Sequence, residues 1–298
     1  MPTVLPHFRA SQAYGSGKFG LSFELFPPKN AEGEASLYEH LKQLVAFKPS
    51  YVTCTYGAGG STRDKTLDIV ARVRSEFHCP VASHLTCVGS TAEELRGYLR
   101  DAQARGVDNI VALRGDPPKG QTEFKPVEGG LRYASELVGL IKNEFPSFGI
   151  AVAGYPETHQ EAVSAQSDLD NLKRKVDAGG EIVITQLFYD NDDFFRFRER
   201  YDAAGIKVPL VPGLLPITNF AQVKRITALC GAKLPASLVL QLEGQGDNAE
   251  AQFESGVAAS IEQARGLAAA SVPGIHFYVL NKSQATARIL SEVQLPRG

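Results

Sequence analysis

The chain has 298 residues, with 31 Lys and Arg against 33 Asp and Glu, a formal net charge of −2 and a pI of about 6.3. Near-neutrality removes any electrostatic reason to expect nucleic acid or an acidic membrane surface as a partner. At 43% hydrophobic and 21% charged residues the composition is that of a soluble globular protein, and the length suits one large domain with an ample core. Met1–Lys18 lacks the apolar run of a signal peptide and no stretch approaches about 20 apolar residues, so a soluble cytoplasmic protein is expected. Cys54, Cys79, Cys87 and Cys230 form no CxxC pair and have no metal-like spacing; they read as reduced, mostly buried thiols, with no metal site.

Residues 1–18 read as an N-terminal extension, and residues 19–298 as one continuous domain. The first strand, Phe19-Gly-Leu-Ser-Phe-Glu-Leu-Phe-Pro-Pro28, is apolar apart from one carboxylate, Glu24. Alternation puts Ser22, Glu24 and Phe26 on one face and Leu21, Phe23 and Leu25 on the other. A carboxyl set among two phenylalanines and a leucine is poorly solvated, so its pKa is expected to rise, as general-acid work requires. The other reading is a carboxylate that turns out to solvent as the strand ends.

Helical spacing then covers Leu37–Phe47, and Tyr51–Thr55 is a second strand followed by the loop Tyr56-Gly-Ala-Gly-Gly60. A helix from Arg63 to Phe77 leads to strand Val81–Leu85, and the capping box Thr91-Ala-Glu-Glu94 opens a helix reaching Arg105. Strand Asn109–Leu113, helix Leu131–Glu144, strand Gly149–Ala153, helix Asp168–Asp177, strand Glu181–Leu187 and helix Asp193–Ala204 continue the alternation. Val208–Val211 is the seventh strand; helices Phe220–Leu229 and Ala249–Ala270 flank a Gly-rich loop at Gly244–Gly246. Ile275–Leu280 is the eighth strand and Ser283–Val293 the closing helix. Eight strands, each followed by a helix, define an α/β fold of the (β/α)8 TIM-barrel type. A doubly wound sheet competes less well, because no GxGxxG follows any strand.

Barrel active sites form at the C-terminal strand ends. Here those ends carry Glu24, Thr55, His84, Arg114 with Asp116, Tyr155, Gln186 and Lys282, a mouth lined for a polar, planar ligand. Ala112, Arg114 and Asp116 share one parity, as do Ile184 and Gln186, and both sets are expected to continue inward-facing rows. A second cluster, His159 with Asp168, Asn171, Arg174 and Lys175, sets cations and hydrogen-bonding groups close together, as a diphosphate or ribityl chain requires. The alternative there is an ordinary charged surface helix.

Phe23-Glu-Leu-Phe-Pro-Pro28, Thr55-Tyr-Gly-Ala58, His84-Leu-Thr-Cys87, Ala112-Leu-Arg-Gly-Asp116, Gly154-Tyr-Pro-Glu157, Asp170-Asn-Leu-Lys-Arg-Lys175, Ile184-Thr-Gln186, Pro212-Gly-Leu-Leu-Pro216 and His276-Phe-Tyr-Val-Leu-Asn281 together resemble the methylenetetrahydrofolate reductase family. The blocks stand in the family's order over nearly the whole chain. The resemblance implies a flavoprotein barrel that takes hydride from NADH or NADPH onto FAD and passes it to 5,10-methylenetetrahydrofolate in a ping-pong cycle. FAD would contact Thr55, Tyr56, Ala58, His84, Arg114, Gly115, Asp116, Ala134, Tyr155, His159, Ala162, Asp168, Asn171, Arg174 and Lys175. Glu24 would protonate folate N10, and Asp116 would serve the pterin and tune the flavin. Gln186 would reach both the nicotinamide donor and the folate, and Gln222 and Lys282 would hold the folate.

Two positions depart from the bacterial pattern: Lys282 stands where arginine is usual, losing the bidentate fork, and Ile226 stands where phenylalanine is found. A homo-oligomer is expected from the family. The chain stops after the barrel, so no inhibition by S-adenosylmethionine through a C-terminal regulatory domain is expected. The rival readings are a barrel glycosidase using Glu24 and Asp116, weakened by the absence of tryptophan, and a flavin- or folate-binding barrel without turnover.

Overall fold

The computed structural model describes residues 6–15, 17–56, 63–117, 120 and 123–296. Within them, nine parallel strands and ten α-helices alternate. They begin with β1 (Gly20–Leu25), α1 (Ala31–Val45), β2 (Tyr51–Cys54), α2 (Arg63–Phe77), β3 (Val81–Thr86), α3 (Ala92–Ala104), β4 (Asn109–Leu113) and α4 (Ala134–Glu144). β5 (Gly149–Gly154), α5 (Ala165–Asp177), β6 (Ile182–Thr185), α6 (Asn191–Ala203), β7 (Leu210–Val211) and β8 (Gly213–Leu214) follow. The rest is helical but for one strand: α7 (Phe220–Cys230), α8 (Ala236–Glu243), α9 (Ala249–Ala269), β9 (Gly274–Tyr278) and α10 (Gln284–Glu292). The strand order β7-β6-β5-β4-β3-β2-β1-β9-β8 makes a nearly closed single-domain barrel with helices outside.

The expected seventh strand, Val208–Val211, is found as Leu210–Val211, and a separate short strand, Gly213–Leu214, follows Pro212. Proline has no N–H to give the ladder, so Leu210–Val211 pair only with β6 and Gly213–Leu214 only with β9. Helix α8 falls where the sequence offered no separate periodic signal, because its eight residues are too short to display one. Helix starts follow cap chemistry: Asn30, Thr91, Ser164, Asn219 and Asn248 each accept a backbone N–H of the first turn.

Alternation sorts the strands into two cores. Leu21, Phe23 and Leu25, with Val52, Leu85, Ile110, Ala112 and Val152, pack outward against the helices. Tyr51, Ala82, Val111, Ala151, Ile182, Ile184 and Val211 fill the barrel interior. Residues 6–15 are built into this second core and close the barrel floor. Ala10 and Ala13 lie in one 3-10 turn, Ala10 N–H donates to Asn109 Oδ1 at 2.7 Å, and the Arg9 guanidinium pairs with Glu181. Gly20 and Gly274 make the seat for Tyr14, since a Cβ on either would run into its ring.

Candidate active site

Parity in β1 sends Glu24 into the barrel mouth, where it meets two imidazoles. Its Oε2 lies 3.2 Å from His84 Nε2, at the end of β3, and 3.6 Å from His276 Nε2, in β9. The β1–β9 register pairs Ser22 with His276 and Glu24 with Tyr278, and Ser22 Oγ is 2.8 Å from His276 Nδ1. Burial by itself would raise the Glu24 pKa, but the imidazoles of His84 and His276 outweigh it and hold the carboxyl at about 2. The expected elevation by phenylalanines is therefore not found. Phe23 points the other way, into the outer core, and Phe26 lies past the strand end, 39% exposed.

The mouth encloses a cavity of about 620 Å³ whose walls include Glu24, Thr55, Tyr56, His84, Arg114, Gly115, Asp116, Tyr155, His159 and Gln186. A second cavity, of about 850 Å³, shares Arg114, Tyr155 and His159 with the first and adds Ala134, Ala162, Asp168, Asn171, Arg174 and Lys175. The two clusters read from sequence thus form one elongated, two-lobed site. Ala58 lies outside the described residues. Gln222, in the first turn of α7, and Lys282, exposed beyond β9, stand outside the walls of both cavities, whereas Ile226 lines the first.

One parity expectation is corrected. Ala112 belongs to the outer core, and Val111 and Leu113 face inward, so Arg114 and Asp116 do not prolong an inward row. They reach the cavity because the chain turns at Gly115, whose φ of +86° favours glycine and where a Cβ would come within 2.6 Å of Val88 Cγ1. The Gln186 expectation holds, since Ile184 is inward. Its Oε1 accepts the Leu187 N–H at 2.9 Å, which leaves the amide NH2 as the end available to a ligand.

Around the shared wall the charges are paired. Arg114 forms a two-pronged ion pair with Glu161 at 2.6 and 2.8 Å, and its guanidinium lies 5.1 Å from the Phe124 ring centre. Asp168 Oδ2 accepts the His159 N–H at 3.0 Å, and the His159 ring stands edge-on to Tyr155. Lys175 Nζ donates to Ala153 O at 2.6 Å, and desolvation pulls its pKa down to about 8.

Sequence reading assigned no role to His276, Tyr278, Thr86, Glu161 or Asn281. The first two were legible in principle, because Gly274, His276 and Tyr278 alternate in one strand. Tyr278 OH donates to Thr185 O at 2.7 Å and so fixes the backbone next to Gln186. Thr86 Oγ1 is buried, without a partner among the described residues, on a residue of the first cavity's wall. Asn281 holds both backbone groups of Phe26, at 3.0 and 2.8 Å, and so ties the loop after β1 to the loop after β9.

The fold and site define an α/β barrel whose mouth opens on an elongated, two-lobed cavity beside a half-buried carboxylate. The family profile of methylenetetrahydrofolate reductase matches residues 9–294, and the chain belongs to that family. It is 41% identical over 279 residues to the 5,10-methylenetetrahydrofolate reductases of Salmonella typhimurium and Escherichia coli, covering 94% of this chain and 92% of each relative. It is 39% identical to methylenetetrahydrofolate reductase (NADH) 1 of Zea mays over 95% of this chain, and it spans about half, 50%, of that relative's length. Among solved structures, an uncharacterised protein from Clostridium thermocellum that binds two copies of 5-methyl-5,6,7,8-tetrahydrofolic acid shares the fold. Its TM-score is 0.61 at 16% identity, covering 92% of this chain and 94% of that one. No helix among the described residues is long and apolar enough to cross a membrane.

Proposed function

We propose that this chain reduces 5,10-methylenetetrahydrofolate to 5-methyltetrahydrofolate, with FAD along the two-lobed site, NADH or NADPH as donor, and Glu24 as the acid. The donor set fits a flavin dinucleotide. Arg114, Arg174 and Lys175 offer cationic donors suited to a diphosphate, and Asp168 and Asn171 offer acceptors for sugar hydroxyls. Gly115, at a left-handed turn, and Thr86, with its orphaned hydroxyl, both line the first cavity, which would take the flat end of such a ligand. A flavin supplies temporary storage of a hydride between a nicotinamide donor and a folate acceptor.

The observation that carries the reading is Glu24 at the floor of this mouth, against two imidazoles. Protonation of folate N10 opens the five-membered ring to an iminium carbon able to accept hydride, and Glu24 is an inward carboxyl with an imidazole on each side. Those imidazoles hold the Glu24 pKa down. The proton destined for N10 therefore reaches Glu24 as the folate covers the site and excludes water. Gln186 presents its NH2 toward the bound pterin or nicotinamide, and Asp116, exposed at the rim, binds the pterin.

The test is Glu24→Gln. Bleaching of the yellow enzyme by NADH should persist, while reoxidation by methylenetetrahydrofolate falls by roughly a hundredfold or more. Equal loss of both halves would assign Glu24 to holding the site together instead, and a protein that takes up no FAD would end the reading.

A further inference from the structure

Below Glu24 the barrel interior is not uniformly apolar. Ser22, Tyr51 and His276 are each fully buried, and Tyr14 is 6% exposed at the floor. Their polar atoms run in sequence along the barrel. Tyr14 OH and Tyr51 OH are 2.7 Å apart, Tyr51 stands opposite Ser22 in the β1–β2 ladder, and Ser22 Oγ meets His276 Nδ1 at 2.8 Å. His276 Nε2 lies 3.6 Å from Glu24 Oε2, just beyond hydrogen-bond distance, and has no hydrogen-bond partner among the described residues. Burying two phenols, a hydroxyl and an imidazole in a barrel core costs stability unless every group is paired. Apolar side chains of the same size would fill the space without that demand. Two glycines are also spent on seating the Tyr14 ring.

We propose that Tyr14, Tyr51, Ser22 and His276 form a proton relay that recharges Glu24 from the floor of the barrel while the mouth is covered. The inference rests on Glu24 being the acid of folate reduction. The proton count closes. With Glu24 ionised, each donor points toward it: Tyr14 to Tyr51, Tyr51 to Ser22, Ser22 to His276 Nδ1, and Nε2–H to the carboxylate. One proton taken from water at the Tyr14 oxygen displaces each hydroxyl proton one place onward and moves Nε2–H onto Glu24. The chain ends with Glu24 protonated, imidazole carrying its proton on Nδ1, and all three hydroxyls intact. No phenolate and no net charge remains in the column. After N10 has taken the Glu24 proton, the three hydroxyls rotate and His276 returns to its Nε2–H tautomer, and the same passage then restores the Glu24 proton without opening the folate side. Tyr14 and Tyr51 touch no substrate; they are positioning residues acting through His276. The N-terminal segment thereby becomes part of the reaction apparatus.

Tyr51→Phe and Tyr14→Phe keep the rings and cut the relay. In enzyme preloaded with reduced flavin, folate reduction should slow at least about tenfold from the first turnover onward, while NADH oxidation with an artificial quinone keeps its wild-type rate. The solvent-isotope proton inventory of steady-state folate reduction should change from curved to linear. Unchanged steady-state turnover and inventory in both variants, with circular dichroism melts near wild type, would overturn the relay. A wild-type protein that fails to reduce folate would instead sink the reductase reading. The relay then stands or falls on 15N NMR of His276 in the ligand-free protein: Tyr51→Phe should alter its tautomer signature, and an unaltered spectrum refutes it.

Discussion

Replacing Lys175 by methionine keeps the length of the side chain and removes its charge, which isolates what the ammonium does in the second cavity. In the ligand-free protein that ammonium donates to Ala153 O at 2.6 Å, and desolvation lowers its pKa from 10.5 to about 8, with partial compensation from Asp168. At 1.36 kcal/mol per unit, holding Lys175 charged in the native protein costs about 3 kcal/mol. The sign follows from linkage. Between about pH 8 and 10.5 the unfolded chain keeps the proton that the folded chain has released, so stability rises with pH across that window. Urea unfolding should show the wild type gaining roughly 2–3 kcal/mol more than Lys175→Met between pH 7.5 and 10. A diphosphate beside the ammonium restores the charged form. At pH 9 about nine-tenths of the sites are neutral before binding, so FAD should draw in close to one proton. Calorimetric titration with FAD at pH 9, in two buffers of unlike ionisation enthalpy, measures that uptake directly. Lys175→Met should take up almost none and bind FAD more weakly by about tenfold. Wild-type binding heats independent of the buffer would refute the placement of Lys175 against the diphosphate.

Glu161 is the group from which Arg114 must be released for a ligand phosphate, given their two-pronged pair at 2.6 and 2.8 Å. Glu161→Gln should therefore tighten FAD by about 1 kcal/mol, read by flavin fluorescence quenching; weaker binding would mean that the pair organises the site. At the barrel floor, Gly20→Ala forces a Cβ into the Tyr14 ring and should cost about 1–3 kcal/mol in denaturant unfolding. The double variant Gly20→Ala, Tyr14→Ala should recover part of that loss, and strict additivity would show that the ring is not the obstacle.

Much of this was readable before any coordinates. Strand and helix periods carry the alternation of the barrel, and the polar residues at strand ends converge because all strands run parallel. What failed did so for local reasons. The parity of a strand cannot be extended past its last ladder bond, so Arg114 and Asp116, beyond Leu113, reach the mouth by the turn at Gly115 rather than by alternation. The Glu24 environment was misjudged because sequence neighbours at odd spacing lie on the opposite face of a strand. The residues that set its pKa come from positions 84 and 276, and only the β1–β9 pairing and the packing across the interior bring them together. Pro212 was visible in the sequence, but the separate short strand after it depended on which neighbour each segment would find.

The register of β1 joins stability and chemistry in one constraint. Leu21, Phe23 and Leu25 are each at most 1% exposed and anchor the outer core, while Ser22 and Glu24 between them supply the polar column. A slip of one residue would exchange the two sets, burying Glu24 among the helices and turning Phe23 toward the histidines. The outer core's preference for large apolar groups thus selects the register that aims Glu24 at the mouth. The pairing of Ser22 with His276 then follows from the same ladder. An acid whose pKa is held down to about 2 is compatible with catalysis only if its proton arrives together with substrate. The hydroxyls and imidazole that this register stacks beneath Glu24 are the groups positioned to deliver it.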